Sequence, residues 1–164
     1  MSDPDFSTFP LRAKGNAFQD FAPGQVFEHH WGRTLGEGDN ALFATLALRF
    51  TPLYFNVEYA RRHGHPGLVV DPLLVLCTVV GLSVEDLSEA GGPFLGIDEV
   101  VFHSPVYVGD TLTARSTVVR LRESEKRPHF GIVTWRTEGD NQKGETVVSY
   151  QRTNLIAKRQ ESAS

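Results

Sequence analysis

Cysteine is almost missing from this chain: Cys77 is the only one in 164 residues, which rules out an internal disulfide and a multi-thiolate metal site. Long apolar runs are missing too. The longest uncharged stretch, residues 72–84, falls short of the roughly 20 residues that span a bilayer. No lysine–arginine run carries interleaved aromatics, and a net charge of -4 gives no footprint for nucleic acid. The N-terminus has no basic segment followed by an apolar core, so no secretion signal is expected, and a soluble cytoplasmic protein is. No internal repeat or low-complexity linker divides the chain. What remains, 40% apolar content over this length, suits one domain with a proper core.

The organising stretch is 71–84. Asp71 suits an N-cap and Pro72 the first helical turn, and the following residues carry neither charge nor a polar stripe. The pattern predicts a helix buried on nearly all sides, with Cys77 as a small apolar filler inside it. Upstream, residues 1–24 read as an irregular arm anchored by Phe6, Phe9, Phe18 and Phe21. Residues 25–33 read as one strand with Val26, Phe27 and Trp31 apolar; of the adjacent His29 and His30, only one can face inward. Thr34 and Glu37 have capping-box spacing, and Leu42, Phe43, Leu46 and Leu48 predict the apolar face of an amphipathic helix ending before Pro52. Asn56 can cap a short helix over 57–62. Beyond Gly91-Gly92-Pro93 come four predicted strands, 94–104, 111–123, 130–138 and 146–157, with turn signals about every dozen residues, as antiparallel hairpins require. The expectation is an α+β domain over 25–159, an antiparallel sheet wrapped around a central buried helix, followed by a frayed tail at 160–164.

Two blocks carry a family resemblance. The first runs Thr34-Leu-Gly-Glu-Gly-Asp-Asn-Ala-Leu-Phe43 and then Pro52-Leu-Tyr-Phe-Asn-Val-Glu-Tyr-Ala60; the second is Phe102-His-Ser-Pro-Val-Tyr-Val-Gly-Asp-Thr-Leu112. With them the chain, over roughly residues 25–157, resembles the MaoC-like, (R)-specific enoyl-CoA hydratases, most of all the mesaconyl-CoA (2-methylfumaryl-CoA) hydratase branch. The resemblance implies a hotdog fold, a hydro-lyase acting on an acyl-CoA thioester, and a pocket at a subunit boundary. A homodimer, or a heterodimer with a hotdog homologue, is therefore expected. No cofactor and no metal are expected beyond the thioester substrate.

The resemblance also implies an Asp/His acid–base pair on the pattern Asp-x-Asn-Pro-x-His-x-Asp, and here this chain departs. Arg49 stands at the Asp position, Thr51 at the Asn, Tyr54 at the His and Asn56 at the second Asp, while Pro52, Tyr59 and Ala60 stay in frame. Arginine is no base at neutral pH and tyrosine titrates near 10. Three readings follow. The pocket could have recruited Tyr54 as proton donor and Arg49 as carboxylate or enolate holder, which is the preferred one. The chain could instead be a silent subunit paired with an active homologue, or a non-enzymatic acyl-ligand binder. Asp71 is a cap or a substitute base at the helix start. Candidate catalytic residues are thus Arg49, Tyr54 and Asp71; candidate substrate contacts are Thr51, Asn56, Val70, Leu95 and Gly96. His63 and His65 lack further ligands for a metal. Gly109-Asp110 reads as a turn, and Trp31 and Trp135 as packing. Arg120, Arg122, Lys126 and Arg127 form either a solvated face or a contact for coenzyme A phosphates.

Overall fold

In a computed structural model, residues 15–159 are described, so Phe6, Phe9 and the tail expected at 160–164 lie outside the described residues. Six strands form an antiparallel sheet: β1 (Val26–Glu28), β2 (Arg33–Thr34), β3 (Phe94–Phe102), β4 (Thr111–Glu123), β5 (Phe130–Asp140) and β6 (Thr146–Ala157). Their order is β1-β4-β5-β6-β3, with β2 also on β4. The single strand expected over 25–33 is therefore two short ones. His29 leaves the ladder between them and turns inward, while His30 stays exposed.

Four helices accompany the sheet: α1 (Glu37–Leu46), α2 (Val57–Arg62), α3 (Pro72–Leu82) and α4 (Val84–Leu87). α3 begins as expected, with Asp71 Oδ1 accepting from Leu73 N–H at 2.8 Å and Pro72 in the first turn. Val75 and Val79 press onto the sheet and are buried, together with Leu112, Val148 and Tyr150. Gly139 on β5 makes this close approach possible: a Cβ there would stand 2.5 Å from Val79 Cγ2. A second cluster gathers Phe18 and Phe21 of the N-terminal arm with Leu87, Val133 and Trp135.

The burial expected on all sides of α3 is not found within this chain. Leu73 and Val84 are exposed by 41% and 39%, and Cys77 and Gly81 between them are exposed as well. Cys77 is therefore no core filler. One sheet covers one flank of a helix, so the opposite stripe, at positions 73, 77, 81 and 84, stays bare. β3 adds a free outer edge whose Phe94, Leu95, Val101 and Phe102 are all more than 40% exposed. Exposed apolar edges of this kind mark surfaces that another chain covers.

A polar row crosses the core beneath the α3–α4 junction. His29 joins Asp86 of α4 through Nδ1 (2.6 Å) and Ser116 through Nε2 (2.9 Å), and Ser116 meets Thr137 at 2.8 Å. Beside it Arg152 reaches under the C-terminal end of α3, bonding Ser83 and Ser88 at 3.2 Å with its guanidinium 5.5 Å from the Trp135 ring centre. Burial pushes the Arg152 pKa down. The row is closed to solvent at Ser116 and Arg152, so it braces the fold.

The start of α1 also differs from expectation. Thr34 lies in β2 with its hydroxyl 2.7 Å from Thr111, and the cap is Gly36, whose N–H goes to Asp39. The face α1 buries is Asn40 and Ala44, whereas Leu42, Leu46 and Leu48 are 61–76% exposed. The expected apolar face is thus turned outward. The helix ends in a Schellman motif, with Leu48 N–H bonding Thr45 O and Arg49 N–H bonding Ala44 O. Leu48 fills its left-handed position with φ 54°, where glycine is the unstrained residue. Leu48→Gly is expected to raise the unfolding free energy by about 0.5–1 kcal/mol, since relieved strain outweighs the entropy glycine adds to the unfolded chain. A lowered denaturation midpoint in that variant would count against strain at this residue.

Candidate functional site

That Schellman turn aims Arg49 at the start of α3. Arg49 Nε donates to Asp71 Oδ2 at 2.8 Å, and its Cζ lies 5.9 Å from the Tyr54 ring centre. The hydrogen bond and charge of Asp71 raise the Arg49 pKa further, with a smaller contribution from Tyr54, so the guanidinium stays cationic. Asp71 is fully buried and both its oxygens are occupied, one by Leu73 N–H and one by Arg49. Its own N–H donates to Asn40 Oδ1 at 2.9 Å. Asn40, also fully buried, donates through Nδ2 to the carbonyls of Tyr54 (2.8 Å) and Val69 (2.9 Å). One side chain therefore ties α1, the 3-10 turn Pro52–Tyr54 and the entry to α3 into a single unit.

A pocket of about 310 Å³ opens beside this unit, lined among others by Leu53, Tyr54, Val70, Pro72, His103 and Val106. His103, just beyond β3, is held by Ser149, with Nε2 2.9 Å from its hydroxyl. The lining is mainly apolar, and Tyr54 and His103 bring a phenol hydroxyl and an imidazole to it.

Arg49, Tyr54 and Asp71 come together, but only Tyr54 lines the pocket. Arg49 and Asp71 neutralise each other behind it. Among the expected substrate contacts, Val70 lines the pocket and is buried. Thr51 is exposed ahead of the 3-10 turn, and Asn56 is spent capping α2 through its bond from Tyr59 N–H at 3.0 Å. Leu95 and Gly96 lie on β3, seven and six residues from Phe102, and Leu95 borders a different pocket with Arg120 and Thr134. Among the described residues no cluster of three His, Cys, Asp or Glu could hold a metal ion. His65 contacts the Tyr107 hydroxyl and His63 stacks on Tyr59. Asp110 accepts from Tyr107 N–H and Gln142, and Gly109 has φ 99°, so that segment is the expected turn.

Sequence reasoning passed over Asn40 and His103. An amide four residues before Ala44, the other buried position of α1, was the signal for Asn40, masked by the more conspicuous leucines on the opposite face. His103 sits where the alternation of β3 gives out, and nothing local marks its contact with Ser149.

A sheet folded against one long apolar helix, with an acyl-sized pocket at the helix start, defines a hotdog domain. The comparisons with known proteins sharpen this: the model of the mesaconyl-CoA hydratase family matches residues 7–164, and the chain belongs to that family. It is 44% identical to mesaconyl-CoA hydratase from Haloarcula hispanica over 154 residues, 93% of this chain but 43% of that protein. It is 36% identical over 149 residues to beta-methylmalyl-CoA dehydratase from Chloroflexus aurantiacus, covering 91% of this chain and 42% of the relative. Among solved structures, a Mycobacterium tuberculosis protein described as having a double hotdog fold superposes with a TM-score of 0.82 at 25% identity, covering 94% of this chain and 48% of that one. The chain spans less than half the length of these two curated relatives.

Proposed function

We propose that this chain works in an acyl-CoA hydratase or dehydratase as the thioester-holding hotdog domain, with the proton-transfer pair standing on a second hotdog domain packed against it. Adding water across an enoyl thioester needs a base for the water, an acid for the α-carbon and an N–H for the thioester oxygen. The observation that carries the reading is the absence of a free base at the start of α3. Pro72 has no N–H, the N–H groups of Asp71 and Leu73 are already engaged, and the Asp71 carboxylate is neutralised by Arg49. Of these residues Pro72 lines the pocket, and Arg49 and Asp71, paired behind it, leave the dyad positions without a base.

Two further features support a second domain. The mesaconyl-CoA hydratase and beta-methylmalyl-CoA dehydratase relatives are more than twice this length, and this chain leaves the β3 edge and the α3 stripe uncovered. The partner is a hotdog homologue with an intact Asp/His pair, and the substrate class is a short branched or unbranched enoyl-CoA, with no added cofactor. The rewritten-site reading keeps one point in its favour, the shared pocket of Tyr54 and His103.

Hydration of mesaconyl-CoA and crotonyl-CoA by the purified chain, alone and mixed with an intact hotdog homologue, separates the two. Turnover is expected to rise by about 100-fold or more on mixing, the usual contribution of a positioned acid–base pair. Full turnover by the chain alone, falling sharply in Tyr54→Phe, would overturn the proposal in favour of a rewritten site.

A further inference from the structure

The outer face of the sheet, turned away from α3, carries a second pocket of about 290 Å³ that the function above does not use. Arg120 and Arg122 of β4 enter it, with Thr134 of β5 and Thr153 of β6, over a floor that includes Leu95 and Ile132. The register explains the grouping. Arg120 pairs with Thr134 and Thr134 with Thr153, so these three form one row across the sheet, and Arg122 beside Ile132 starts the next. A bulge between Val118 and Arg120 resets the alternation of β4 and puts both arginines outward, about 7 Å apart along the strand.

Among the described residues no carboxylate lies within ion-pair distance of either arginine, in contrast to Arg33, Arg49, Arg61, Arg115, Arg136 and Arg159, each of which has one. Arg120 Nε reaches Thr134 Oγ1 at 3.4 Å, and Arg122 donates only to the Glu123 carbonyl at 3.3 Å. Thr134 is buried and shares a 2.9 Å hydrogen bond with Thr153. The adjoining turn adds Lys126 and Arg127; its acids are Glu125 and Glu123, and Glu123 is engaged by Lys158 at 3.1 Å. A cationic spot thus stands on a protein whose net charge is -4.

We propose that Arg120 and Arg122, with the Thr134 and Thr153 hydroxyls, form a binding site for a phosphate monoester carried on a small organic group. Two planar guanidinium forks on the same face of one strand, both lining this pocket, suit the oxygens of a phosphate, which each can bind bidentately. The threonine pair supplies a neutral donor, and Leu95 and Ile132 give the organic part an apolar floor. The site is distinct from the acyl pocket: seven residues of β3 separate Leu95 from Phe102, about 23 Å of extended strand. It does not depend on the hydro-lyase reading.

Calorimetric titration of the full chain with inorganic phosphate, adenosine 3′,5′-bisphosphate and unphosphorylated adenosine, at matched ionic strength in chloride, tests it. Both phosphate probes are expected to bind saturably and adenosine not to bind. Tighter binding of the bisphosphate supports a phosphate monoester on an organic group, and equal binding, showing that the organic part adds nothing, would overturn it. The pair Arg120→Gln and Arg122→Gln should lose at least about tenfold in affinity, about 1.4 kcal/mol. Thr134→Val with Thr153→Val keeps every charge and should lose several-fold. Lys126→Gln with Arg127→Gln, which removes the same charge outside the pocket, should lose clearly less affinity than the double Arg120/Arg122 variant. Absence of saturable phosphate binding to the unaltered chain, or equal affinity in the double-arginine variant with its melting curve intact, removes the site.

Discussion

Replacing Asn40 by leucine is expected to lower the unfolding free energy by about 3 kcal/mol or more. Leucine has nearly the same size and suits a helix better, so neither volume nor propensity explains such a loss. The cost arises from three backbone groups left without partners in a buried place: the carbonyls of Tyr54 and Val69 and the N–H of Asp71. Each orphaned group costs about 1–3 kcal/mol. Asn40→Ala should cost less than Asn40→Leu, because the space left by alanine admits water to those same groups. Urea midpoints of the two variants provide the measurement. If leucine proved the milder change, the amide would be filling space and not organising the turn. The effect should also extend to the pocket, since Tyr54 and Val69 both line it and both hang from Asn40.

The second large effect is expected at Gly139. Alanine there places a methyl 2.5 Å from Val79 Cγ2 and 3.0 Å from Val148 Cγ1, where no room exists. Val79 is fully buried on α3 and cannot swing away, so the helix must lift from the sheet, at a cost of about 1–3 kcal/mol. A double-mutant cycle isolates the cause. Val79→Ala alone opens a cavity and destabilises, but in combination with Gly139→Ala the added methyl occupies part of that space. The two changes should therefore sum to less than their separate costs, by about 1 kcal/mol or more. Strict additivity would mean that the helix does not bear on this glycine. The comparison concerns function as well, because the seating of α3 sets the depth of the pocket beside its first turn.

Much of this architecture was legible in local chemistry. Asp71, Pro72 and an uncharged run announced α3, and period-two alternation with regular turn signals announced strands β3 to β6 and the hairpins β4–β5 and β5–β6; β3, expected in the same run of hairpins, instead crosses over to pair with β6. Local reading failed at α1. Four apolar residues at helical spacing are ordinarily the inward face, yet here Leu42, Leu46 and Leu48 face outward and Asn40 inward. It failed in the same direction at Cys77 and Leu73 on α3. Both errors treat apolar character as burial within one chain, whereas apolar surface is equally suited to burial against another.

The candidate site divides along similar lines. Arg49, Tyr54 and Asp71 could be named from their places in the motif frame, and they do gather. Whether a carboxylate so placed is a base or half of an ion pair was not written in the motif. That depended on a left-handed Leu48 turning Arg49 onto Asp71 and on Asn40 occupying the Asp71 N–H.

By itself, then, the amino-acid order determined the secondary elements, the antiparallel hairpins and the family, because these depend on spacing, capping and residue chemistry close in the chain. Only the tertiary structure decided that Asp71 is paired with Arg49 and Asn40, that His103 shares the pocket with Tyr54, and that Arg120 and Arg122 stand together without a carboxylate. Those facts rest on contacts between residues tens of positions apart, and sequence spacing does not encode which of two chemically suitable neighbours a folded chain brings within hydrogen-bond reach.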